Sequence, residues 1–296
     1  MNWQACIVVA KTILSLTGAA GRRNHPMLGR SLCLVLFLTR CGAAAAAEPA
    51  LPQDDRLSAP EGPVTVTAIV DGDTVVLADG RQVRLIGLQA PKLPLGREGF
   101  EAWPHAAQAK AALVEVINGR EAYLHFGGLR EDRYGRVLAQ MERADGLWVQ
   151  GEMLRRGMAR VYTFPDNRAL AAPMLRLEAE ARAAGRGIWD LVFYRIRRPD
   201  ALERMDFYEI VEARVHETAS VGGRVYVNFG PDYRTDFTLS LPSRERNLFV
   251  KAGKDPLALT GQMVRVRGWV YYRNGPMIDL THPEQLEIIE PKSDTP

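Results

Sequence analysis

The chain has 296 residues, of which 47% are hydrophobic and 25% charged, so its composition is that of a globular protein long enough for one large or two small cores. Its formal net charge is +3, but five of the 38 Lys and Arg residues and none of the 35 Asp and Glu residues precede residue 48. From Glu48 onward, 33 basic residues therefore face 35 acidic ones. This balance excludes a general electrostatic attraction to a polyanion, so any phosphate binding must come from a local cluster.

Residues 1–47 have the pattern of an export signal. A basic residue precedes an apolar run at 32–38, and small residues follow at 43–47. The apolar run is shorter than the roughly 20 residues that a membrane-spanning helix needs. We therefore expect cleavage at the end of this stretch, no stable membrane insertion afterwards, and a periplasmic or secreted protein. A membrane anchor and a lipid-modified Cys41 are the alternatives, and Met27 is an alternative start because it opens a signal of ordinary length.

The three cysteines all lie in this presequence, as Cys6, Cys33 and Cys41. After cleavage the mature chain would contain no thiol. It would then have no disulfide partners and no thiolate metal site.

The mature chain is expected to begin with a flexible lead-in at 48–62, which is rich in Ala, Pro and acidic residues. β-Branched runs with a hairpin signal at Asp79 and Gly80 then predict three short strands. The pattern then predicts a helix at 103–117 and two strands at 119–127 and 136–142. A short helix at 148–156, an extended piece at 159–162 and a final helix from about 167 or 173 to 184 follow. This order predicts a first domain at 63–190 that is an OB-type five-stranded β-barrel with packed helices.

The rest of the chain predicts a second, smaller domain. A charged, Pro-containing segment at 191–206 is expected to be a linker, and residues 291–296 a tail. Between them, alternating runs, a short helix and a hairpin closed at Asn274 and Gly275 predict an OB-like β-domain at 207–290. The predicted fold class is therefore mainly β with α (α+β). The second OB-like domain is inferred from the order of its elements alone.

Charged residues in the loops of the first domain can meet at one end of a small barrel. Asp71 and Asp73 flank a glycine in a tight turn between strands. Arg84 lies on the third strand, and Asp132 and Arg136 lie in the turn that opens the fifth. Two guanidinium groups aimed at one point bind a phosphodiester, because each planar fork matches two phosphate oxygens. Ordinary hairpin turns and solvated salt bridges remain the alternative explanation for these residues.

Five sequence runs together resemble one known family: VTAIVDGDTVVL, VRLIGLQAP, DRYGRVLAQM, GEMLRRGMARVY and LEAEARAAGRGIW. Their order and spacing over residues 64–190 are similar to those of the staphylococcal nuclease (thermonuclease) family. The resemblance implies a five-stranded OB barrel and calcium-dependent hydrolysis of DNA and RNA. It implies that Arg84 and Arg136 are catalytic and that Asp73 binds calcium. The other implied pocket residues are Asp71, Gln89, Asp132 and Tyr134.

The chain departs from this family after the strand that carries Arg84. Where the family has an aspartate, a small or hydroxyl residue, proline and the catalytic glutamate, this chain has Gln89, Ala90, Pro91 and Lys92. Calcium prefers about 6 to 8 oxygen ligands with carboxylate charge, so a calcium cofactor is weakened by Gln89 and Ala90. An ammonium group has no lone pair with which to accept a proton, so a charged Lys92 cannot replace the glutamate as general base.

Several interpretations of this pocket stay open. A neutral Lys92 would act as the base, since burial favours the uncharged form of lysine. Alternatively, Glu98 or Glu101 would supply the base while Lys92 supplies the positive charge in place of calcium. The pocket would otherwise bind DNA or RNA phosphates without cleaving them, using the three cations Arg84, Arg136 and Lys92. The remaining hypothesis is that the protein is an envelope scaffold whose pocket is no longer used.

The second domain carries aromatic and basic side chains on alternating strands, which would permit unpaired bases to stack beside cations. These residues are Arg224, Tyr226, Phe229, Arg265, Arg267, Trp269 and Tyr271. Because every other residue of such a strand faces a core, simple packing is the competing interpretation. The histidines are scattered without the spacing of a ligand set and predict no zinc site.

Overall fold

The β-branched runs of the first half form strands in the computed structural model, which describes residues 48–289. The predicted signal at 1–47 and the predicted tail at 291–296 lie outside the described residues. The elements of the first half are, in chain order, β1 (Glu61–Asp71), β2 (Thr74–Leu77), β3 (Gln82–Leu85), β4 (Gly87–Gln89), α1 (Ala106–Ile117), β5 (Glu121–His125), β6 (Val137–Arg143), α2 (Val149–Arg155), β7 (Arg160–Tyr162) and α3 (Ala171–Ala183).

Five of these strands close into a barrel in the order β1, β2, β3, β6, β5. Strands β3 and β6 are parallel neighbours, and the other neighbouring pairs are antiparallel. The β2–β3 connection turns at Gly80, whose φ of 87° is readily available only to glycine. The predicted α+β class with a five-stranded OB-like barrel is confirmed.

The barrel encloses the first hydrophobic core. Val75 and Leu77 on β2 and Val83 and Leu85 on β3 are at most 2% exposed. Burying each such side chain contributes roughly 1.5–3 kcal/mol. Helix α1 covers the barrel with one face, from which Leu113 is buried in the same cluster. Alternation along β3 therefore turns the intervening residue, Arg84, to the outside of the barrel.

Strands β4 and β7 pair with each other beside the barrel, a feature that the sequence pattern did not separate from the third strand. Gly87 makes the break between β3 and β4, with a φ of 85°. Its backbone also packs closely on α3, because an added Cβ there would lie 2.4 Å from Sδ of Met174. The short β4–β7 sheet thereby holds residues 87–89 at the mouth of the site described below.

The first residues of two helices differ from those that the pattern predicts. Helix α1 begins at Ala106 rather than at residue 103, because His105 has a φ of 68°, which is outside the helical region. Helix α3 begins at Ala171, between the two predicted starts, because Leu170 has a φ of 61°. In both cases a residue with left-handed backbone geometry directly precedes the helix. The type of that residue does not predict this geometry from the sequence.

The lead-in and the linker make more contacts than expected. Leu57 packs against the barrel core, and the amide of Ser58 donates to the carbonyl of Phe126 at 2.8 Å. In the predicted linker, Tyr194 is buried and its hydroxyl donates to the carbonyl of Pro104 at 2.8 Å. Three-residue to four-residue 3-10 turns cover much of this stretch, at Gly187–Asp190, Val192–Tyr194 and Pro199–Ala201.

The second half contains a seven-stranded sheet over its own hydrophobic core. Its elements are β8 (Phe207–Arg214), β9 (Glu217–Val221), β10 (Arg224–Asn228), β11 (Thr238–Pro242), α4 (Arg246–Lys251), β12 (Met263–Tyr272), β13 (Pro276–Asp279) and β14 (Leu286–Ile289), with 3-10 turns at Ser243–Glu245, Pro256–Ala258 and Pro283–Gln285. The sheet order is β14, β12, β13, β11, β10, β9, and β8 also pairs with β12. The hairpin at Asn274 and Gly275 joins β12 to β13, and β9 and β14 are additions to the predicted strands. Within residues 48–289, no helix has both the length and the apolar run needed to cross a bilayer.

Candidate functional site

The two arginines singled out in the sequence lie at neighbouring strands of the barrel, Arg84 on β3 and Arg136 directly before β6. Arg84 is opposite Leu138 in the parallel β3–β6 pair, and Arg136 comes two residues before Leu138. Side chains two residues apart on a strand share a face. Both arginines therefore stand on the outer face of the barrel, where they line one cavity of about 680 Å³.

This cavity brings together almost all of the predicted site residues. Its lining includes Asp71, Arg84, Gln89, Lys92, Asp132, Tyr134 and Arg136. Asp73 is the exception, because it is only 1% exposed and lies beneath the cavity floor. The predicted residues thus converge on one place, whereas their roles remain predictions.

The tight turn between β1 and β2 positions the two aspartates. Oδ1 of Asp71 accepts the backbone N–H of Asp73 at 3.1 Å, which fixes the turn. Gly72 stands between them because the site leaves no space for a side chain. A Cβ at this position would lie 2.6 Å from Cβ of Ala90 and 2.8 Å from Cβ of Ala109. The glycine thus lets the turn pack directly on the segment that follows β4.

Asp73 is a buried carboxylate held by four neighbours, one of which is the hydroxyl of Thr74, which donates to Oδ1 at 3.2 Å. Its Oδ2 accepts from the backbone N–H of Ala90 at 2.9 Å and from Nζ of Lys92 at 2.6 Å, and its Oδ1 lies 3.1 Å from Nη1 of Arg84. Burial alone would raise the pKa of Asp73, but the charges of Arg84 and Lys92 hold it well below its usual range. The carboxylate is therefore ionised, and its hydrogen-bonding capacity is largely used within the protein.

Asp71 has a different environment. It lines the cavity, and its Oδ2 lies 3.7 Å from Nζ of Lys92, beyond hydrogen-bonding distance. Burial and the nearby charge of Asp73 raise the pKa of Asp71 above its usual value. Of the two aspartates, Asp71 is thus the one with an oxygen that can reach a ligand.

Arg84 is anchored by backbone carbonyls. Its Nη1 donates to the carbonyl of Leu85 at 2.9 Å, and its Nη2 donates to the carbonyl of Leu88 at 2.8 Å. A guanidinium has five N–H groups, so these bonds fix the side chain and still leave donors for a ligand. The anchoring holds the positive charge at the floor of the cavity.

Arg136 is oriented by the turn that precedes β6. Its guanidinium donates to Oδ2 of Asp132 from Nε at 2.8 Å and from Nη2 at 2.7 Å. Oδ1 of Asp132 accepts from the backbone of both Tyr134 and Arg136, at 2.9 and 3.0 Å. Burial opposes ionisation of Asp132, but these hydrogen bonds lower its pKa. Asp132 is therefore a positioning residue for Arg136, whose guanidinium carbon lies 5.5 Å from the centre of the exposed Tyr134 ring.

The comparisons with known proteins agree with this geometry. A family model described as staphylococcal nuclease homologue matches residues 82–191. An uncharacterized endonuclease of Escherichia coli is 30% identical over 127 residues, which span 42% of this chain and 74% of that protein. The chain belongs to the staphylococcal nuclease family.

In other relatives the match spans a smaller share of the protein. A probable staphylococcal-like nuclease of Oryza sativa subsp. japonica is 33% identical over 114 residues, which are 38% of this chain but only 30% of the rice protein. Protein ParB of Escherichia coli is 36% identical over 135 residues, which are 42% of this chain and 70% of that protein. The family match therefore concerns the barrel half.

The family implies calcium, but the residues present do not fit it. The ammonium of Lys92 is bonded to Asp73 and faces Asp71, so it takes the place between the two carboxylates that a divalent cation would need. Ala90 contributes only its backbone to Asp73. Among residues 48–289, no three His, Cys, Asp or Glu side chains come together as a metal-binding group. A calcium ion at this position would meet the charge of Lys92 rather than a third oxygen.

Gln89 has a structural partner that the sequence did not indicate. Its side-chain oxygen accepts from Nε and Nη2 of Arg160 at 3.0 and 2.8 Å, although 71 positions separate the two residues. Arg160 is buried among aromatic rings, including those of Trp103 and Tyr208. The two hydrogen bonds from Arg160 therefore occupy the Gln89 side-chain oxygen, which is not available as a ligand oxygen although the residue lines the cavity.

The proposed substitute bases do not reach the cavity. Glu98 and Glu101 are exposed, and neither belongs to its lining, although their neighbours Leu95 and Arg97 do. Nζ of Lys92 donates to Oδ2 of Asp73 at 2.6 Å, and an ammonium in such an ion pair has no lone pair with which to accept a proton. Asp166 and Phe164 also line the cavity and were missed, because the segment after β7 has no motif of its own.

Proposed function

We propose that this protein binds nucleic-acid phosphodiesters in the cavity on the outer face of β3 and β6, and that it does so without calcium. Family membership supports nucleic-acid binding and nuclease activity in general. The specific support is the position of Lys92, whose ammonium lies 2.6 Å from Oδ2 of Asp73. An internal cation at this place balances the buried carboxylate that would otherwise require a metal ion.

The charges around the cavity suit a phosphate. Its lining holds five cationic side chains, Arg84, Lys92, Arg97, Arg133 and Arg136, and three acidic ones, Asp71, Asp132 and Asp166. Asp73 adds a fourth carboxylate from below. The cations thus outnumber the carboxylates by one, which suits the single negative charge of a phosphodiester. Since the body of the chain is slightly acidic, this local cluster is the recognition element.

A binding experiment tests the proposal. Fluorescence anisotropy of a labelled single-stranded oligonucleotide is measured with excess calcium and with a chelator. We expect the same affinity in both conditions. Arg136→Ala should weaken binding about tenfold or more, since a charge-assisted hydrogen bond contributes about 1.5–3 kcal/mol. The matched control is Arg244→Ala, which removes an exposed arginine from outside the cavity and should change nothing. Binding that requires calcium, or that Arg136→Ala leaves intact, would overturn the proposal.

Hydrolysis is a second candidate function, and Asp71 favours it. Asp71 lines the cavity, and burial with the charge of Asp73 raises its pKa, which strengthens it as a base. It would take a proton from a water molecule that attacks phosphorus, while the bond to the leaving oxygen breaks and that oxygen takes a proton from solvent. Arg84 and Arg136 would stabilise the charge that develops on the phosphate.

Asp71→Asn separates hydrolysis from binding. The amide oxygen of the variant can still accept the backbone N–H of Asp73, so the turn should be preserved. If Asp71 is the base, the variant loses cleavage of DNA and RNA and keeps oligonucleotide affinity. Wild-type protein that binds but never cleaves, with or without calcium, would leave the binding function and remove this second candidate.

A further inference from the structure

A second cavity continues the first across the junction with the C-terminal sheet. Its volume is about 320 Å³, and it shares the side chains of Tyr162 and Phe164 with the larger cavity. Its opposite wall comes from the second half of the chain and includes Trp269 and Tyr271. The two cavities are therefore neighbours, and a ligand that is longer than one nucleotide would pass from one to the other.

Trp269 is the distinctive residue of this wall. It is 46% exposed although it lies in the middle of β12, between the buried residues Gly268 and Val270. Its indole N–H donates to the hydroxyl of Tyr162 at 2.9 Å, and its ring lies 6.2 Å from that of Tyr208. One edge of the indole is thus fixed to the nuclease half while a large apolar surface faces solvent. A rigid, exposed indole beside a binding cavity is typical of ligand recognition.

The neighbouring rings extend the apolar surface. Tyr162 and Phe164 meet edge to face with their centroids 4.7 Å apart, and Phe164 is 44% exposed. Unpaired bases stack on aromatic rings of this kind regardless of sequence, because every base has a π face. Base pairs in a duplex already stack on each other and cannot offer these faces. The surface therefore fits a single strand.

Two arginines of β12 are engaged by carboxylates and do not compete for this role. Arg267 is buried and pairs with Glu178 and Glu287, at 3.0 and 2.7 Å. Arg265 is paired with Glu212 and with Glu287. Phosphate recognition thus stays with the arginines of the barrel, and the second sheet contributes stacking.

We infer that Trp269 adds a base-stacking surface from the C-terminal sheet beside Tyr162 and Phe164, which makes this sheet part of the nucleic-acid site. The inference rests on the proposed function, since the phosphate must lie in the adjoining cavity. It predicts a preference for single-stranded over duplex nucleic acid and a need for more than one nucleotide.

The experiment compares probes of different length and strandedness. Anisotropy and competition assays use thymidine 5′-phosphate, an oligothymidylate of about ten nucleotides, and a duplex of the same length. Trp269→Ala should weaken binding of the oligothymidylate about 5- to 150-fold, the range expected for loss of one stacked base. It should leave the weak binding of the mononucleotide unchanged. Trp269→Phe should restore most of the loss, because it keeps a ring.

A matched control comes from the same strand. Tyr272 is also on β12 and is 70% exposed, but it lines neither cavity. Tyr272→Ala should bind like the wild type. Tryptophan emission provides a direct readout, since quenching by the oligothymidylate should fall sharply in Trp269→Phe.

The outcomes distinguish this inference from the proposed function. If wild-type protein binds no probe, or if Arg136→Ala has no effect on binding, the proposed function fails. If Arg136→Ala weakens binding but Trp269→Ala does not, the phosphate site stands and the stacking subsite is wrong. Equal affinity for the duplex and the single strand would also overturn the subsite.

Discussion

Nζ of Lys92 lies 2.6 Å from Oδ2 of Asp73, beneath the cavity that Arg84 and Arg136 line. The position where the family resemblance implies a catalytic glutamate is thus joined by an ion pair to the aspartate for which it implies calcium binding. Under the proposed function, the chain itself supplies the cation at this site. The stability of the site should therefore depend on Lys92 rather than on a metal.

Replacing Lys92 by glutamate should reverse this dependence. Lys92→Glu places a third carboxylate beside Asp71 and Asp73, so we expect a loss of about 2–3 kcal/mol in the free energy of unfolding, reduced from the value for a fully buried pair because Lys92 is 23% exposed. Calcium should recover part of the loss by binding the folded state. Thermal unfolding with calcium and with a chelator measures both effects.

The control for this prediction is Lys251→Glu, which makes the same charge reversal at an exposed position on α4. It should be nearly neutral and insensitive to calcium. A wild-type melting temperature that calcium raises as much as that of Lys92→Glu would contradict the prediction.

The sequence predicts the barrel and the proximity of Arg84 and Arg136, because both depend on local signals. The hairpin at Gly80 and the alternation along β3 place Arg84 outside the barrel, and the turn at Asp132 presents Arg136 beside it. Each of these features is encoded within a few residues. The family resemblance then supplied the expectation that the two arginines act together.

The long-range contacts of Gln89 and Trp269 could not be predicted from the sequence. The bond between Gln89 and Arg160 joins β4 to β7, and neither strand is longer than three residues. The exposed ring of Trp269 depends on its contact with Tyr162, 107 positions away. Periodicity identifies which residues alternate along a strand, but it does not say which distant side chain completes a pair.

The turn between Asp71 and Asp73 should tolerate no side chain at its centre. Gly72→Ala places a methyl group 2.6 Å from Cβ of Ala90, so the backbone must shift and the bond from Ala90 to Asp73 should lengthen. We expect a cost of about 1–3 kcal/mol in unfolding free energy, as for overpacked cores, together with weaker oligonucleotide binding. The double variant with Ala90→Gly should recover part of both losses, because it removes the closer of the two contacts. Unchanged stability in the single variant would show that the turn has room to relax.

His282 should make the stability of the protein depend on pH. The residue is 1% exposed and bonds to Thr163 and Thr281, and burial lowers its pKa from 6.5 to about 4. On acidification, the His282 side chain therefore takes up a proton near pH 6.5 in the unfolded chain but only near pH 4 in the folded chain. The stabilisation is therefore complete above pH 6.5 and is lost as the pH falls toward 4. Between about pH 7.5 and pH 5 the loss from this group should be about 2 kcal/mol.

A variant isolates this contribution from those of the carboxylates. His282→Gln should be less stable than the wild type at about pH 7.5, because the paired hydroxyls lose a partner, but its stability should fall less on acidification. Chemical denaturation at several pH values measures the difference between the two slopes. His216→Gln, at an exposed position, should follow the wild type. Parallel pH profiles for wild type and His282→Gln would contradict the prediction.

A buried ion pair joins the nuclease half to the C-terminal sheet, and it should be costly to break from one side. Nη1 of Arg267 lies 3.0 Å from Oε2 of Glu178 on α3, and the two side chains are 1% and 0% exposed. The same carboxylate oxygen also accepts the backbone N–H of Val161, so this one carboxylate connects α3, β7 and β12.

Arg267→Met leaves Glu178 buried without this partner, which should cost about 3–5 kcal/mol in the free energy of unfolding. The double variant Arg267→Met with Glu178→Gln should be the more stable of the two, because the fully buried carboxylate is then neutral, while Glu287 keeps Arg265 as a partner. Equilibrium denaturation of the single and double variants tests this order, with Arg244→Ala as the exposed-arginine control. If the double variant loses as much as the sum of the two single variants, the residues do not act as a pair, and the other contacts between the two halves must hold Trp269 against Tyr162.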